Sequence, residues 1–442
     1  MEIILVSIFV LGYLAITLEH TLKVDKLIPA LAMMAVLWAI IALAHFPVFE
    51  VDTVLKKLVP THIDEILLHH LGKTAEIIIF LLGAMTIVEI IDYFNGFSTI
   101  KLFIKTKSKK ALLWIFAILA FILSAIIDNL TATIVLITIL QKIISDRDTR
   151  LWFAGLIIVS ANAGGAWSPI GDVTTTMLWI ANKVTTIKLI SFLLIPSIVC
   201  VVVPVFIASL LPAFKGEIKS EDNQEDEVMH KYGSTMLYLG LGSIVFVPVF
   251  KTLTHLPPYV GMMFSLAIVS TFAEIFSAAK INITSLDSES DAASHHSPVH
   301  KSLSKIELPS ILFFLGILLA VAALESLGML FAFAETLNTT IPNTDIVILL
   351  LGIGSAVIDN VPLVAASIGM FSEGIDSPLW HFIAFSAGTG GSMLIIGSAA
   401  GVVAMGMEKI DFFWYLKKIS WLAFLGFISG SLTFMFLRGF IA

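Results

Sequence analysis

The sequence predicts an all-α polytopic membrane protein, and three observations support this fold class. Of the 442 residues, 58% are hydrophobic and only 13% are charged, well below the charged fraction of a typical soluble domain. The apolar residues fall in blocks of roughly 17–25, the length that an α-helix needs to cross a bilayer. These blocks lack the alternating pattern of outer-membrane β-strands. The composition therefore excludes an ordinary soluble enzyme.

In the N-terminal part, the apolar blocks predict scaffold spans within residues 3–92, the first of them at 3–18. Because no basic segment or small-residue cleavage site accompanies 3–18, it is interpreted as a span and not as a removable signal peptide. Charged and apolar residues are interspersed over 46–73, which favours an amphipathic helix on the membrane surface. A loop rich in lysine covers 93–110.

Residues 111–144 are almost uninterrupted apolar sequence, broken near the middle by Asp128-Asn129. Two full spans and a turn need about 44 residues, and only about 34 are present. Both flanks are basic, which favours the cytoplasmic side of the membrane. The segment is therefore interpreted as a re-entrant hairpin that carries Asp128 at its tip, near the middle of the membrane.

Residues 151–183 predict a broken span. Three glycines and one proline fall within the nine residues from Gly164 to Asp172, and such a segment cannot remain a regular helix. The backbone groups that the break frees must line a polar cavity, since lipid cannot satisfy them. A further span at 187–211 completes this half, and a charged linker follows at 212–233.

The order of segments then repeats. The interval in sequence from Asp128 to Asp359 nearly equals the interval from Gly165 to Gly391, as expected of a duplicated unit with small insertions. We predict about 11 transmembrane helices with two re-entrant hairpins and two broken helices. The first repeat is 1–211, and the second is 234–442, with scaffold spans in 234–333, a hairpin at 344–371, a broken span at 380–407 and a last span at 413–437.

The distribution of basic residues predicts the orientation. With the N-terminus outside, 19 of the 26 lysines and arginines are cytoplasmic and 7 are external, in agreement with the positive-inside rule. The first half then starts outside and the second starts inside, so the repeats are inverted and the second hairpin opens outward. Both termini are predicted to be external, and the loop 93–110 is predicted to be cytoplasmic.

Inverted repeats with discontinuous helices are typical of secondary transporters, which bind their substrate at the repeat interface near the midplane. An ionised carboxylate there costs at least roughly 2.5–3.5 kcal/mol, so the aspartates need a cation or a proton. Carboxylate, amide, hydroxyl and carbonyl oxygens suit a small hard cation. The candidate ion ligands are Asp128, Asn129, Thr131, Asp172, Thr174, Ser355, Asp359, Asn360, Ser392 and Ser398.

The same carboxylates can bind protons, because desolvation raises the pKa of an acid. Competition between H⁺ and Na⁺ for one cluster of carboxylates is the minimal mechanism of exchange. Neither hairpin tip and neither break contains an arginine or a lysine, which argues against an anionic substrate. A purely structural interpretation also exists, since Asp-Asn is a common turn pair and Asp172 can cap the half-helix that starts at Val173.

The run from Ala161 to Thr176, with Asp128-Asn129 and Asp359-Asn360, resembles the NhaD-type sodium/proton antiporters of the ion transporter superfamily. The resemblance covers essentially the whole chain. It implies efflux of Na⁺ and Li⁺ in exchange for external H⁺, pH homeostasis, an elevator-like transport domain and a homodimer through the scaffold. It implies a bacterial inner-membrane protein whose environment is the lipid bilayer, with no cofactor and no nucleic-acid partner. Ser398 stands where the first break has Asp172, which argues against two equivalent cation sites.

Two other functions remain open at this point. The same superfamily contains arsenite pumps and sodium-coupled dicarboxylate carriers, so an arsenite or carboxylate transporter is one alternative. The other is an intramembrane aspartyl protease, because Ile170-Gly171-Asp172 is similar to a Gly-x-Gly-Asp motif. Position 169 is Pro instead of Gly, however, and no second Tyr-Asp pair lies in a span. The sequence therefore favours a transporter over an enzyme.

Overall fold

The structure is a computed structural model that describes residues 2–17, 23–52, 57–104, 106–218, 231–284, 297–306, 308–341, 343–357 and 360–441. These residues are almost entirely helical. The predicted linker 212–233 is described only at its two ends, and Asp359 lies outside the described residues.

The first half contains eight α-helices and one β-hairpin among its described residues. Short 3₁₀-helices follow α3 at Gly96–Phe103 and α8 at Pro212–Phe214. The main elements are α1 (Glu2–Thr17), α2 (Leu27–Leu43), β1 (Val48–Asp52), β2 (Lys57–Thr61), α3 (Ile63–Tyr93), α4 (Lys109–Ile127), α5 (Asn129–Ile143), α6 (Arg147–Gly165), α7 (Val173–Ile180) and α8 (Thr186–Leu210).

The second half contains eleven α-helices among its described residues. The elements are α9 (Gly233–Thr254), α10 (Pro258–Thr284), α11 (Pro298–Leu303), α12 (Leu308–Ser326), α13 (Met329–Thr340), α14 (Thr344–Gly354), α15 (Asn360–Met370), α16 (Pro378–Gly390), α17 (Ala399–Glu408), α18 (Phe412–Lys418) and α19 (Ser420–Ile441). A 3₁₀ turn at Gly391–Met393 follows α16.

Seven helices of the described residues are long and apolar enough to cross a membrane, which makes the chain a multi-pass membrane protein. They are α3, α4, the part of α10 up to Ser277, and α8, α9, α12 and α19. The helices α1 and α2, with 16 and 17 residues, are slightly shorter. The count of about 11 spanning helices and the inverted orientation of the halves stay predictions.

The prediction of an amphipathic helix over 46–73 is wrong. Residues Val48–Asp52 and Lys57–Thr61 form an antiparallel β-hairpin, in which Val48 pairs with Thr61. Valine and phenylalanine in Val48–Asp52 alternate with glutamate and aspartate, which favours a strand over a helix. The helix α3 begins at Ile63, with Asp64 and Glu65 in its first turn, where carboxylates favour the helix dipole.

The scaffold span expected from about 308 to 333 is also interrupted. The helix α12 ends at Ser326, and α13 begins at Met329. Between them Gly328 adopts a φ of +71°, a left-handed conformation that ends a helix and that residues with a side chain rarely adopt. The chain therefore changes direction at Gly328 instead of continuing as one span.

Close packing joins the last long helices of the two halves, α8 and α19. A methyl group added at Gly426 of α19 would lie 3.1 Å from the Cγ atom of Pro204 in α8. A methyl group at Gly430 would lie 2.9 Å from the carbonyl oxygen of Pro196. Glycine at both positions therefore allows the two helix backbones to approach each other, as small residues do in membrane proteins.

Contacts between loops form two groups at opposite ends of the helices. At the end rich in basic residues, Lys109 Nζ lies 3.2 Å from Thr149 Oγ1, and Arg147 Nη2 donates to the carbonyl of Lys409. At the other end, the N–H and the hydroxyl of Thr185 donate to the two carboxylate oxygens of Asp376, over 2.7 and 2.8 Å. Each group joins segments predicted to lie on the same side of the membrane.

Arg150 in α6 links three segments at the basic end. Its Nε atom lies 3.1 Å from both carboxylate oxygens of Glu408, the last residue of α17. Its Nη1 atom donates to the carbonyls of Ile144 and Ser145 at the end of α5. The Glu408 side chain is 1% exposed, so this ion pair is largely shielded from water.

The start of α6 is fixed by Asp146, whose carboxylate accepts hydrogen bonds from the N–H and the hydroxyl of Thr149 over 2.9 and 2.5 Å. These hydrogen bonds stabilise the charged form and hold the pKa of Asp146 below its ordinary value. The cap therefore stays in place at neutral and alkaline pH.

Replacing Glu408 with alanine tests the ion pair at the end of α17. The variant removes the carboxylate partner of the partly buried Arg150, and we expect the free energy of unfolding to fall by about 2–3 kcal/mol. Thermal or denaturant unfolding of the detergent-solubilised protein measures the change. Asp92→Ala is the control, because the pair of Asp92 with Lys305 is 3.8 Å long and more than half exposed. The control should lose at most about 1 kcal/mol. Equal losses in both variants would contradict the assignment.

Candidate functional site

The first hairpin turns at Asp128, between α4 and α5. Asp128 has a φ of +80°, so the backbone reverses at this residue. Its Oδ1 atom accepts the N–H of Thr131 over 2.8 Å, and its Oδ2 atom accepts the Thr131 hydroxyl over 2.9 Å. Asp128 thus caps α5. The 19 residues of α4 are enough to cross a membrane, whereas the 15 residues of α5 are not, and a re-entrant path stays a prediction.

The two broken segments have nearly identical geometry at the residue that precedes each half-helix. Asp172 precedes α7 with φ −147° and ψ 147°, and Ser398 precedes α17 with φ −145° and ψ 152°. Ser398 caps its helix through the N–H of Gly401, at 3.2 Å, whereas the Asp172 side chain makes no such cap with α7. The breaks lie in the glycine-rich segments from which the sequence predicted them.

The Asp172 site consists of Asp172, Thr174, Asn360 and Gly388. Asp172 is 2% exposed, and its Oδ2 atom accepts the Thr174 hydroxyl over 2.8 Å and the Asn360 amide over 3.1 Å. A methyl group at Gly388 would lie 3.3 Å from the same oxygen. The tip of the second hairpin therefore meets the break of the first half.

The Ser398 site consists of Ser398, Asn162, Asn129 and the neighbouring Asp128. The Asn129 amide donates to Asn162 Oδ1 over 2.9 Å, and the Asn162 amide donates to Ser398 Oγ over 3.0 Å. Asn129, Asn162 and Ser398 are all buried. Asn162 is not among the predicted ligands, although an amide inside the otherwise small and apolar run 161–166 is a signal of a polar contact.

Three other candidate ligands have described side-chain hydrogen bonds that do not involve Asp172. The Ser355 hydroxyl donates to the carbonyl of Ala387 over 2.7 Å and so ties the second hairpin to α16. The Ser392 hydroxyl donates to the carbonyl of Thr389 over 2.7 Å, within the second break. Thr131 bonds to the carboxylate that it helps to position. None of these hydrogen bonds reaches Asp172, and the remaining candidate, Asp359, lies outside the described residues.

The oxygen ligands of the Asp172 site are the carboxylate of Asp172 and the hydroxyl of Thr174, and Asn360 contacts the carboxylate through its amide nitrogen. Within the described ranges, no group of three or more His, Cys, Asp or Glu side chains could hold a metal ion. A single carboxylate with an amide, a hydroxyl and freed backbone carbonyls suits a monovalent hard cation better than a transition metal.

Two adjoining cavities, of about 260 and 540 Å³, lie beyond the Asp172 site. Met177 of α7 and Ala365 of α15 line the smaller cavity, and each lies five residues, or about 7.5 Å along its helix, from Asp172 and Asn360. Both cavities share a charged lining. The shared lining residues include His70, Lys73, Asn182 and Glu325.

Comparison with known proteins finds matches along nearly the whole chain. A family model described as "CitMHS: Citrate transporter" matches residues 13–380. The chain is 41% identical to sodium/proton antiporter 1 of Arabidopsis thaliana, over 98% of this chain and 72% of the relative. It is 37% identical to sodium/proton antiporter 2 of the same plant, over 98% and 99%. It is 31% identical to the Na⁺/H⁺ antiporter NhaD of Vibrio cholerae, over 93% and 86%.

Replacing Asn162 with leucine tests the hydrogen bonds of the Ser398 site. The side chain keeps its branched shape and its number of heavy atoms, but Asn129 and Ser398 each lose a buried partner. We expect the free energy of unfolding to fall by about 1–3 kcal/mol. Thermal unfolding in detergent measures the effect. Thr138→Val is the matched control, because the Thr138 hydroxyl donates to the carbonyl of Ile134 within its own helix. Stability equal to that of the control would contradict the network.

Proposed function

Because this chain belongs to the NhaD-type sodium/proton antiporter family, we propose that it exchanges cytoplasmic Na⁺ for external H⁺. We propose Li⁺ as a second cargo ion, Asp172 as the centre of the ion site, and Na⁺ efflux and pH homeostasis as the outcome. The family is one of transporters and not of enzymes, so the protease alternative is set aside. The contact between Asn360 and Asp172 carries this proposal, since it joins the second hairpin to the first broken helix.

The carboxylate of Asp172 supplies the chemistry of exchange. Asp172 is 2% exposed, and a carboxylate in such a site is stabilised by a bound proton or a bound cation. Thr174 and Asn360 hydrogen-bond to this carboxylate and hold it at the start of α7. Their hydroxyl and amide oxygens, with backbone carbonyls of the break, are further hard ligands for Na⁺ or Li⁺. Loss of a proton at Asp172 thus accompanies gain of a cation.

The two cavities beyond Asp172 provide the entry path. Their lining contains both acidic and basic side chains, so ions can remain hydrated until they reach the ends of α7 and α15. Within the predicted topology this path opens to the external side, because β1, the loop after α7 and the loop after α15 border it. Exchange then requires a second state in which the Asp172 site faces the basic end of the molecule.

A carboxylate substrate, suggested by the citrate description of the family model, fits the Asp172 site less well. The hydrogen-bond partners that the structure describes for Asp172 are a hydroxyl and an amide, and both are neutral. An anion that entered beside them would meet the charge of Asp172, and like charges repel strongly where water is excluded. The site therefore favours a cation.

We also propose the predicted topology and a location in a bacterial inner membrane. The loop contacts support the topology, because Arg147, Lys109 and Lys305 make their contacts at one end and Thr185 and Asp376 at the other. A bacterial location is consistent with the Vibrio cholerae relative, although other relatives are plant proteins. The elevator-like motion and the homodimer through the scaffold belong to the same proposal.

Asp172→Asn tests the ion site with little change in shape. In everted membrane vesicles, Na⁺ and Li⁺ should dissipate a preformed pH gradient, and the variant should lose on the order of 100-fold in rate at limiting Na⁺, because the neutral amide no longer offsets the cation. Thr174→Val should lose up to about tenfold in apparent Na⁺ affinity. A pH-sensitive dye measures the exchange, and K⁺ and citrate are tested in parallel.

Thr176→Val is the matched control for these variants. Thr176 lies on the same half-helix, but its hydroxyl donates to the carbonyl of Pro169 and not to the carboxylate. It should keep the wild-type half-saturation by Na⁺ within about twofold. Wild-type exchange by Asp172→Asn would contradict the site, and citrate uptake by proteoliposomes without cation-driven proton movement would favour the carboxylate alternative.

Cysteine labelling tests the topology. The natural Cys200 is 1% exposed, so Cys200→Ser gives a background without a reactive thiol at little structural cost. Leu256→Cys, in the loop after α9, should react with a membrane-impermeant maleimide added to intact cells. Lys417→Cys, in α18, should react only after permeabilisation. The reverse pattern would invert the proposed orientation.

A further inference from the structure

The two ion-site regions are built on corresponding residues, which makes their differences informative. Ser124 and Ser355 occupy equivalent positions before the two hairpin tips, and each donates to a carbonyl of a broken span, Ala161 over 2.5 Å and Ala387 over 2.7 Å. In the same alignment of the two halves, Asn129 corresponds to Asn360, while Asp172 corresponds to Ser398. The backbone conformations at Asp172 and Ser398 are nearly the same. Any difference in ion binding between the two sites therefore comes from the side chains that differ.

The first difference concerns the position beside the half-helix. In the Asp172 site this position is Gly388, which places no side chain beside the carboxylate. A methyl group there would already lie 3.3 Å from Asp172 Oδ2 and 3.7 Å from Thr174 Oγ1. In the Ser398 site the corresponding residue is Asn162, by the same alignment that relates Asp172 to Ser398. Its amide fills this space and bonds to both Asn129 and Ser398.

The second difference concerns the hairpin tip. Both carboxylate oxygens of Asp128 accept hydrogen bonds from Thr131, one from the N–H and one from the hydroxyl. At the second tip the residue equivalent to Thr131 is Pro362, which has neither an N–H nor a hydroxyl. The donors that engage Asp128 as a helix cap therefore have no counterpart on α15.

The third difference is the residue at the start of the half-helix. Ser398 is neutral, and its hydroxyl oxygen accepts the N–H of Gly401 and the amide of Asn162. The equivalent Asp172 carries a carboxylate whose described donors are a hydroxyl and an amide. The first and third differences act in the same direction, because the Ser398 site has a neutral hydroxyl in place of the carboxylate and an amide side chain in place of glycine. The second difference engages the Asp128 carboxylate in a helix cap.

We propose that the side chain of Asn162 closes the Ser398 site to cations, so that each chain binds a single alkali cation, at the Asp172 site. Asn162 is then a positioning residue that holds Asn129 and Ser398 together and ties the first hairpin to the second broken helix. Asp128 acts as a helix cap and not as the centre of a second site. This inference rests on the proposed function, since it specifies how many of the two regions bind the exchanged ion.

Counting bound ²²Na⁺ on the purified full-length protein tests the inference. A scintillation proximity titration should saturate at one Na⁺ per chain. Asp172→Asn should reduce the count to zero, whereas Ser398→Ala should leave it at one. Two ions per wild-type chain, or one ion that depends on Ser398 and persists in Asp172→Asn, would overturn the inference while leaving exchange intact. A chain that binds no Na⁺ and exchanges none would overturn the proposed function and this inference with it.

A gain-of-site variant examines Asn162 directly. Asn162→Gly combined with Ser398→Asp transfers the Gly388 and Asp172 pair to the Ser398 site, and the count should rise from one to two. Retention of the first ion demonstrates that the variant is folded. A folded double variant that still binds one ion would overturn the role of Asn162 as the closing side chain. If the double variant loses the first ion as well, the counts for the wild type and Ser398→Ala decide the question.

Discussion

The carboxylate of Asp172 has its described hydrogen-bond donors on two separate parts of the chain, Thr174 on its own half-helix and Asn360 at the tip of the second hairpin. A buried charge must be compensated, and here the compensation requires a helix to break and a hairpin to end at the same point. The contact between Asn360 and Asp172 depends on the glycine-rich break before α7 and on the second hairpin ending at Asn360. It also depends on Gly388, which lets α16 approach the carboxylate.

Neutral hydrogen bonds near this contact, and the ion pair of Arg150 with Glu408 at the basic end of the molecule, hold the surrounding helices together. The Ser124 and Ser355 hydroxyls fix each hairpin to its neighbouring broken helix. Arg150, near the start of α6, contacts the last residue of α17 and the residues that follow α5, at the opposite end of α6 from the ion site. The carboxylate whose described donors come from both halves is thus the one to which we assign exchange, while Asp146 and Asp128 serve as helix caps.

The positions of the breaks were predictable from the sequence, because Gly, Pro and polar residues interrupt otherwise continuous apolar runs. The breaks after Gly165 and Gly391, and the tip at Asp128, follow from such interruptions. The β-hairpin from Val48 to Thr61 was missed because its charged residues suggested an amphipathic helix, although their alternation has a period of two. The role of Asn162 depends on which residue lies opposite it, and the sequence alone does not specify that neighbour.

The site itself was predictable in composition but not in pairing. Candidate ligands were chosen by residue type. The structure separates them into Asp172 with Asn360, Asn129 with Asn162 and Ser398, and serines that donate to backbone carbonyls.

The close contact of α8 with α19, through Gly426 and Gly430, has a mechanical consequence. Because α8 follows the first broken segment and α19 follows the second, this contact holds the closing ends of the two halves against each other.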